Sequence, residues 1–214
     1  LGSRFDDRLA SNPNEFAPNA KVVHIDIDES EINKVIPTTL GIVADCKKVL
    51  EALVIEYQSH ATYKEWVDHC LDNKSKHPFK YKKANDTFCR PQEAIEYIGK
   101  ITNGEAIVTT DVGQHQMWSA QFYPFKHHSQ WVTSGGLGTM GFGIPSAIGA
   151  QLAAPDKTVV CFVGDGGFQM TNQEMALLPE YHLNVKIVLI NNGTLGMVKQ
   201  WQDKFFNQRF SHSV

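Results

Sequence analysis

Two polar segments in the second half of the chain each come directly after an apolar run. They are Gly164-Asp165-Gly166-Gly167, which follows the run 158–163, and Asn191-Asn192-Gly193-Thr194, which follows the run 185–190. Apolar runs of this length, rich in valine and isoleucine, predict buried strands. Because consecutive parallel strands joined by one helix end at the same edge of a sheet, Asp165 and Asn192 are expected to face one cavity.

The residue types at this edge favour binding of a divalent cation together with a diphosphate. A carboxylate oxygen, an amide oxygen and a nearby backbone carbonyl would form an oxygen-only set of ligands, which Mg²⁺ accepts. The glycines allow backbone N–H groups to come close to phosphate oxygens. Thr171, followed by Glu174, predicts a capping box and therefore a helix whose positive end would add to the anion site. Alternatively each segment is an ordinary turn, since Asp, Asn and Gly are common in turns.

A third glycine-rich segment, Gly136-Leu137-Gly138-Thr139-Met140-Gly141, matches the dinucleotide-binding pattern G-x-G-x-x-G. That pattern also requires an acidic residue at the end of the next strand, where this chain has a second glycine turn. We therefore favour a different role, in which the glycines let the backbone approach a cofactor and Met140 offers an apolar surface for its rings. Plain core packing of Met140 is the alternative.

These segments need a layered α/β scaffold, which the order of the apolar patterns predicts. Pro91 suits the first turn of a helix with an apolar stripe, and Gly104 its end. Valine- and isoleucine-rich strands that are separated by helices predict a parallel sheet flanked by helices, with right-handed crossovers. The predicted strands are 106–110, 130–133, 158–163 and 185–190, and the predicted helices are 143–153, 171–178 and 195–204.

The chain is expected to divide into three parts. Residues 1–58 contain strand-like runs at 21–27 and 41–45 with helical stretches beside them, which is typical of part of a Rossmann-like domain. Residues 59–90 are rich in Lys, His, Asp and Asn and predict a helix and an interdomain linker. Residues 91–214 would form the cofactor-binding domain. Neither edge of the chain looks like a natural end, so we expect both to be cut.

The composition indicates a globular protein that has neither nucleic acid nor a membrane as its partner. With 214 residues, 42% of them hydrophobic, the chain can bury a substantial core, and a net charge of -3 gives no attraction for nucleic acid. No apolar run reaches the roughly 20 residues of a spanning helix. The wide spacing of the four cysteines argues against a zinc site or a disulfide scaffold. A reducing compartment is expected, either the bacterial cytoplasm or an organelle stroma or matrix.

Taken together, these motifs resemble the thiamine-diphosphate-dependent enzymes, in which a Gly-Asp-Gly segment is followed at this spacing by a metal-binding asparagine. Three further segments resemble the catalytic large subunits of acetolactate synthases, and the resemblance covers nearly the whole chain outside the linker. The resemblance implies the thiamine-diphosphate-binding fold, with decarboxylation of pyruvate and condensation with a second 2-keto acid. The products would be 2-acetolactate or 2-aceto-2-hydroxybutyrate, in branched-chain amino acid biosynthesis. The three segments are RFDDR at 4–8, GQHQMW at 113–118 and GMVKQWQ at 196–202.

The resemblance also implies a set of site residues. Asp165 and Asn192 would be side-chain ligands of Mg²⁺, with the backbone carbonyl of Thr194 as the third protein ligand. Met140 would separate the two rings of thiamine diphosphate, and Met170 would lie along the cofactor cleft. The other implied cofactor contacts are Gln114 and His115 beside the diphosphate, and Gly138, Gly164, Gly166, Gly167, Asn192, Gly196 and Met197.

The resemblance also implies a substrate channel, and it leaves more than one role open for His115. Trp201, with Met197 one helical turn before it, would line the channel that admits the second keto acid, and core packing of Trp201 is the alternative. For His115, phosphate contact or a structural role is favoured over that of a catalytic base.

In the first part of the chain, the resemblance implies FAD that takes no redox part in the reaction. Its expected contacts are Arg4, Arg8, Asp26 and Asp45. A homo-oligomer through the cofactor domains is implied, with a regulatory small subunit as a further partner. The catalytic glutamate of the family belongs to an amino-terminal domain that no segment here resembles. We therefore expect no catalytic residue in this chain, and little or no synthase activity from it alone.

Two alternatives stay open. The Gly-Asp-Gly motif also occurs in pyruvate oxidases and 2-keto acid decarboxylases, although the segments at 113–118 and 196–202 favour acetolactate synthase. The chain could also be a non-catalytic module that keeps the α/β scaffold and only binds or associates. Affinity for thiamine diphosphate that depends on Mg²⁺ would separate binding from simple association.

Overall fold

A computed structural model describes residues 1–57, 62–84 and 88–213, apart from the side chains of Asp7 and Arg8. Arg8, one of the expected FAD contacts, therefore has a side chain outside the described part. The chain divides into two compact units, with the boundary between Asn73 and Lys74. Among the described residues, no helix is both long and apolar enough to cross a membrane.

The described elements alternate between strands and helices along most of the chain. The strands are β1 (Val23–Asp26), β2 (Leu40–Val43), β3 (Ile107–Thr110), β4 (Trp131–Thr133), β5 (Val159–Gly164) and β6 (Val185–Ile190). The α-helices are α1 (Asp7–Ala10), α2 (Cys46–Glu56), α3 (Lys64–Lys76), α4 (Pro91–Ile101), α5 (Gln114–Phe122), α6 (Gly143–Ala153), α7 (Asp165–Thr171), α8 (Leu177–Glu180) and α9 (Gly196–Phe205). Short 3₁₀ helices cover Pro13–Glu15, Glu29–Glu31 and Asn172–Ala176.

The second unit is built on a parallel sheet of four strands in the order β4-β3-β5-β6. The predicted fold class, a parallel sheet flanked by helices, is therefore confirmed. Each of the four predicted strands is present within one residue of its expected bounds. Strand β5 lies in the middle, and its first five residues are buried because helices cover both faces of the sheet.

The two faces of this sheet hold separate apolar clusters. Val160 and Phe162 of β5 belong to a cluster with Ile95 of α4 and Tyr123. Val159, Cys161 and Val163 point to the other face, where they pack with Ile144, Ala147 and Ile148 of α6. The alternation follows from the two-residue period of a strand. It fixes β5 between two layers of helix, and so fixes the position of the segment that follows it.

Helix α7 begins at Asp165, before the predicted helix 171–178. That helix is present as the 3₁₀ helix Asn172–Ala176 followed by α8, but the predicted side-chain cap at Thr171 is wrong, since this side chain makes no capping hydrogen bond. Thr171 is the last residue of α7, and its hydroxyl donates to the backbone carbonyl of Gly141 at 2.9 Å. Because that hydroxyl already has a tertiary partner, the Thr171–Glu174 spacing does not form a capping box. The Gly-Asp-Gly segment is thus itself the first turn of a helix.

Helix α5 was not among the predicted elements. Its buried residues are His115 and Ser119, which are polar and four positions apart. A helix that turns polar residues inward shows no apolar stripe, and periodicity cannot detect it.

The first unit contains a parallel pair of strands, β1 and β2, in which Asp26 lies beside Val43. Helix α2 follows β2, and the carboxylate of Asp45 caps it by accepting from the backbone N–H of Lys48 at 3.1 Å. The strand-like runs predicted at 21–27 and 41–45 are present as shorter strands. Few side chains of this unit are buried, and His24 and Ile25 of β1 are among them.

Candidate functional site

The ends of β5 and β6 bring the two predicted metal-binding segments to the same edge of the sheet. Gly164 pairs with Ile190 at the last position of the ladder, so Asp165 and Asn192 both follow directly from paired strand ends. A pocket of about 190 Å³ opens between them. In doubly wound sheets this carboxyl edge is where ligands bind.

Most of the predicted cofactor and metal residues line this one pocket. They are Gln114, His115, Gly138, Met140, Gly164, Asp165, Gly166, Gly167, Asn192, Thr194, Gly196 and Met197. Met170 and Trp201 are not among the lining residues, and both are about half exposed, at 53% and 52%. Val112, Trp118, Leu195 and Val198 also line the pocket, although sequence reasoning gave them no role.

The pocket has a polar wall that matches the predicted metal site. The side-chain oxygen of Asn192 accepts from the backbone N–H of Thr194 at 3.1 Å, which folds the segment after β6 into a tight turn. The amide nitrogen of Asn192 donates to the side-chain oxygen of Gln114 at 3.4 Å, the limit for a hydrogen bond. Because the nitrogen faces Gln114, the oxygen is the end of this amide that can face a cation. Asp165, which is half-buried, lines the same wall.

Close contacts at two glycines keep the pocket narrow. A Cβ atom at Gly196 would lie 2.3 Å from the side-chain oxygen of Gln114, and one at Gly166 would lie 2.7 Å from a methyl carbon of Leu195. A Cβ at Gly138, by contrast, would meet nothing within 4 Å, and its φ of +68° is one that glycine adopts without strain. Gly138 therefore presents open backbone to the pocket, as a cradle for a ligand requires.

Amide side chains join two elements across this region. Gln114 at the start of α5 donates from its amide nitrogen to the side-chain oxygen of Gln200 in α9, at 3.1 Å. Sequence reasoning missed Gln200, since glutamine on a helix surface gives no signal of its own. The contact joins α9, the helix of Met197 and Trp201, to Gln114, which was predicted to lie beside the diphosphate.

His115 is buried, with 6% exposure, and its Nε2 lies 2.5 Å from an oxygen of the fully buried Asp111. A carboxylate can only accept, so the imidazole N–H donates. Asp111 was not predicted from the sequence, because a lone acid at a strand end is common. The structural role considered for His115 agrees with this buried pairing.

The thiol of Cys161 is buried in the centre of β5 and does not line the pocket. Burial raises the pKa of Cys161 to about 12, so the group stays an uncharged thiol at neutral pH. Across the described residues, no group of three or more His, Cys, Asp or Glu side chains is arranged to hold a metal ion. A metal in this unit would thus rely on mixed oxygen ligands such as those at Asp165, Asn192 and Thr194.

Two of the expected FAD residues of the first unit, Asp26 and Asp45, lie at the corresponding strand ends. Asp26 ends β1 and is 8% exposed, and it accepts from the backbone N–H of Asp28 at 2.9 Å. Asp45 follows β2 and caps α2. Arg4 is exposed in the segment before α1. Asp26 and Asp45 thus share one edge of the two-stranded sheet, and each already has a local backbone partner.

Comparison with known families identifies the class of both units. Residues 111–214 match the family described as thiamine pyrophosphate enzyme, C-terminal TPP binding domain, and residues 1–53 match thiamine pyrophosphate enzyme, central domain. The chain belongs to the thiamine pyrophosphate (thiamine diphosphate) enzymes.

Within that class, the chain is similar to acetolactate synthases. It is 55% identical over 214 residues to the acetolactate synthase large subunit of Lactococcus lactis, covering 100% of this chain and 37% of that protein. It is 47% identical to the isozyme 1 large subunit of Escherichia coli, over 97% of this chain and 37% of the relative. It is 45% identical to the chloroplastic acetolactate synthase 1 of Nicotiana tabacum, over 100% of this chain and 32% of the relative. The chain therefore spans about a third of the length of these relatives.

The pocket suits the cofactor that this family name specifies. Its open glycine backbone and oxygen-bearing polar wall fit a metal-bound diphosphate, while Met140, Trp118 and Met197 form an apolar part that fits ring systems. A side chain at Gly166 or Gly196 would have to displace the side chain of Leu195 or Gln114. The residues present therefore fit thiamine diphosphate.

Proposed function

We propose that this chain is the part of an acetolactate synthase that binds thiamine diphosphate and Mg²⁺. The whole enzyme would decarboxylate pyruvate and condense the product with a second 2-keto acid, giving 2-acetolactate or 2-aceto-2-hydroxybutyrate. The proposal rests on one observation. Residues of all three segments, 136–141, 164–167 and 191–194, line the same pocket, and Asp165, Asn192 and Thr194 are among them. The names of the similar proteins favour acetolactate synthase over a pyruvate oxidase or a 2-keto acid decarboxylase.

Magnesium would be held by Asp165, the side-chain oxygen of Asn192 and the backbone carbonyl of Thr194. All three are hard oxygen ligands, and Mg²⁺ commonly completes such a set with phosphate oxygens and water. The turn in which Asn192 accepts from the N–H of Thr194 favours this set, because it holds two of the ligands in a fixed relation before metal binds.

When bound, thiamine diphosphate supplies a nucleophilic carbon and an electron sink for the decarboxylation. The chain's own contribution is to bind, orient and exclude water. Met140 would separate the rings, Gln114 would lie beside the diphosphate, and Gly138 would let the backbone come close. Met170 is the weakest of the proposed cofactor contacts, since it is about half exposed and does not line the pocket.

Trp201 and Met197 lie four residues apart on α9, and would line the approach of the second keto acid. Side chains at this spacing share one face of a helix. Trp201 packs against Phe205 with 4.9 Å between ring centroids and stays about half exposed. The exposure favours a channel role over the core-packing alternative.

FAD is proposed as a second, non-redox cofactor of the first unit, with contacts at Arg4, Arg8, Asp26 and Asp45. The shared strand edge of Asp26 and Asp45 supports the proposal. Because Asp26 has low exposure, only the accessible part of its carboxylate could contact FAD.

The wider assembly is proposed from the relatives. The domain bounds would be 1–58 for the part that contacts FAD, 59–90 for the helix and linker, and 91–214 for the cofactor domain. We expect a homo-oligomer through the cofactor domains, and a regulatory small subunit, since relatives are named as large subunits. The cytoplasm of a bacterium, or an organelle stroma or matrix, would be its compartment.

The test is calorimetric titration of the purified chain with thiamine diphosphate, with and without Mg²⁺. We expect binding that depends on Mg²⁺, and a loss of at least about ten-fold in that affinity in Asp165→Ala. Asp156→Ala is the matched control, because this exposed aspartate lies just before the other end of β5. Acetolactate is assayed in the same samples, and little or none is expected from this chain alone.

Two results would contradict the proposal. One is a wild-type chain whose affinity for thiamine diphosphate is the same with and without Mg²⁺. The other is an equal effect of Asp165→Ala and Asp156→Ala, which would remove the metal site from Asp165.

A further inference from the structure

A buried acid–histidine pair connects the glycine segments of the pocket. Asp111 follows β3, is fully buried, and accepts hydrogen bonds through both of its carboxylate oxygens. One oxygen accepts from Nε2 of His115 at 2.5 Å, and the other accepts from the backbone N–H of Gly141 at 3.0 Å. A buried carboxylate is costly unless its oxygens are paired, so both contacts are needed to keep it there.

The same carboxylate also determines which residue can stand at position 167. A Cβ atom on Gly167 would lie 1.7 Å from the Asp111 oxygen that accepts from Gly141. No side chain can share that space. Asp111 thus touches the backbone next to Met140 on one side and the first turn of α7, which carries Asp165, on the other.

His115 extends the contact to two more glycines. A Cβ at Gly113 would lie 2.6 Å from the imidazole ring, and one at Gly164 would lie 3.0 Å from it. The ring therefore fills the gap between the start of α5 and the end of β5. Through Asp111 and His115 together, three backbone segments of the pocket are held at fixed separations.

We infer that Asp111 is a positioning residue of the cofactor pocket, and that its carboxylate sets the distance between the Gly141 backbone and the turn that presents Asp165. The inference rests on the proposed function only for the identity of the ligand. If Asp111 had only a structural role, its loss would affect the whole fold equally. A positioning acid has a local effect on the amides of Gly141 and of residues 165–167.

The first measurement needs no cofactor. Amide hydrogen exchange and ¹H–¹⁵N chemical shifts are recorded for the wild-type chain and for Asp111→Asn. Asparagine keeps the shape but replaces the carboxylate by a neutral amide, so the N–H of Gly141 loses its charged acceptor and has at best a neutral oxygen as partner. We expect exchange at Gly141 to rise by about ten-fold, which corresponds to the loss of one hydrogen bond to a charged group. We also expect the signals of residues 165–167 to shift.

Thr109→Val is the matched control. Thr109 lies two residues earlier on β3, is also fully buried, and donates from its hydroxyl to the carbonyl of Gly143 at 3.1 Å. The substitution removes a buried hydrogen bond of the same strand without touching Asp111. It should lower the melting temperature and leave Gly141 and residues 165–167 unchanged. If Asp111→Asn and Thr109→Val alter these amides alike, Asp111 has no positioning role.

A second variant keeps the test decisive where Asp111→Asn does not fold. His115→Gln removes the ring and leaves the carboxylate with Gly141. The signals of residues 164–167 should then move while exchange at Gly141 stays within about two-fold of wild type. A rise of about ten-fold or more in exchange at Gly141 in this variant would overturn the inference, because the carboxylate would then not hold Gly141 without the ring.

Cofactor binding then gives the functional readout. With Mg²⁺ present, we expect thiamine diphosphate to bind Asp111→Asn about ten-fold more weakly than wild type, and Thr109→Val within about two-fold. A wild-type chain that does not bind the cofactor would count against the proposed function alone, because the amide measurements decide the positioning role independently. Unchanged affinity in Asp111→Asn, beside a wild type that binds, would overturn the inference.

Discussion

The two units of this chain use the same alternation of strand and helix, but they bury very different parts of it. In the second unit, Val159, Cys161, Phe162 and Val163 of β5 have no exposed surface. In the first unit, Leu40 and Val43 of β2 are about half exposed, at 52% and 51%. Both strands form, although β5 is almost fully covered and β2 is largely open to solvent.

The helices show the same contrast. Helix α6 buries Ile144, Ala147 and Ile148 against the four-stranded sheet. Helix α2, all of which the structure describes, has no buried side chain, and Leu53 and Val54 are 47% and 76% exposed. The cap at Asp45 defines the start of α2, but a helix of 11 residues without a buried side chain is expected to be only marginally stable. Burial on two layers is what should give the second unit its stability.

The sharpest test of this contrast is truncation of one apolar side chain in each unit. Phe162→Ala should lower the free energy of unfolding by about 3–5 kcal/mol, because it opens a cavity in the central strand. Leu53→Ala should lower it by less than about 1 kcal/mol, since half of that side chain already contacts solvent. Urea denaturation followed by circular dichroism measures both. Equal costs in the two variants would show that the fully covered sheet contributes no more than the exposed helix.

Much of the second unit could be predicted from the sequence because two of its strands follow nearly continuous apolar runs. The runs 158–163 and 185–190 both form strands within one residue of the expected bounds. The expected burial is confirmed for β5 but not for β6, where only Ile190 is buried because β6 is an edge strand of the sheet. Helix α5 could not be predicted, because its inward residues, His115 and Ser119, are polar. The side-chain cap predicted at Thr171 was wrong for a related reason, since the Thr171 hydroxyl donates to the carbonyl of Gly141, a residue far away in sequence.

The residues that line the candidate site were largely predictable, and the residues that hold it in shape were not. Asp165 and Asn192 follow strands whose order can be inferred, so their proximity follows from topology. Asp111 and Gln200 act on the pocket through contacts 30 and 86 residues away, with Gly141 and Gln114. Neither residue type is unusual at its position, so only the three-dimensional contacts identify them.

A smaller effect is expected at the start of α2. Asp45→Ala should lower the stability of that helix by about 1 kcal/mol, because the backbone N–H of Lys48 loses its acceptor. Asp45→Asn keeps a capping oxygen and should lower the stability of the helix by only a few tenths of a kcal/mol. Native-state hydrogen exchange of the α2 amides gives both values. If Asp45→Asn is as costly as Asp45→Ala, the carboxylate charge matters more than the cap.

The smallest effect should come from a surface pair of the second unit. Glu105 accepts from Nε2 of His127 at 2.7 Å, and this hydrogen bond lowers the pKa of the Glu105 carboxyl below its usual range. Because the folded-state pKa is the lower one, the unfolded chain takes up the proton first as the pH falls. The stabilisation is therefore present above the unfolded pKa and disappears as the pH falls through the folded one. Near neutral pH, the melting temperature of the wild type should be slightly above that of Glu105→Gln. The difference should vanish in acid. Exposed pairs contribute little, so a small shift is expected, and a difference that grows in acid would contradict the assigned direction.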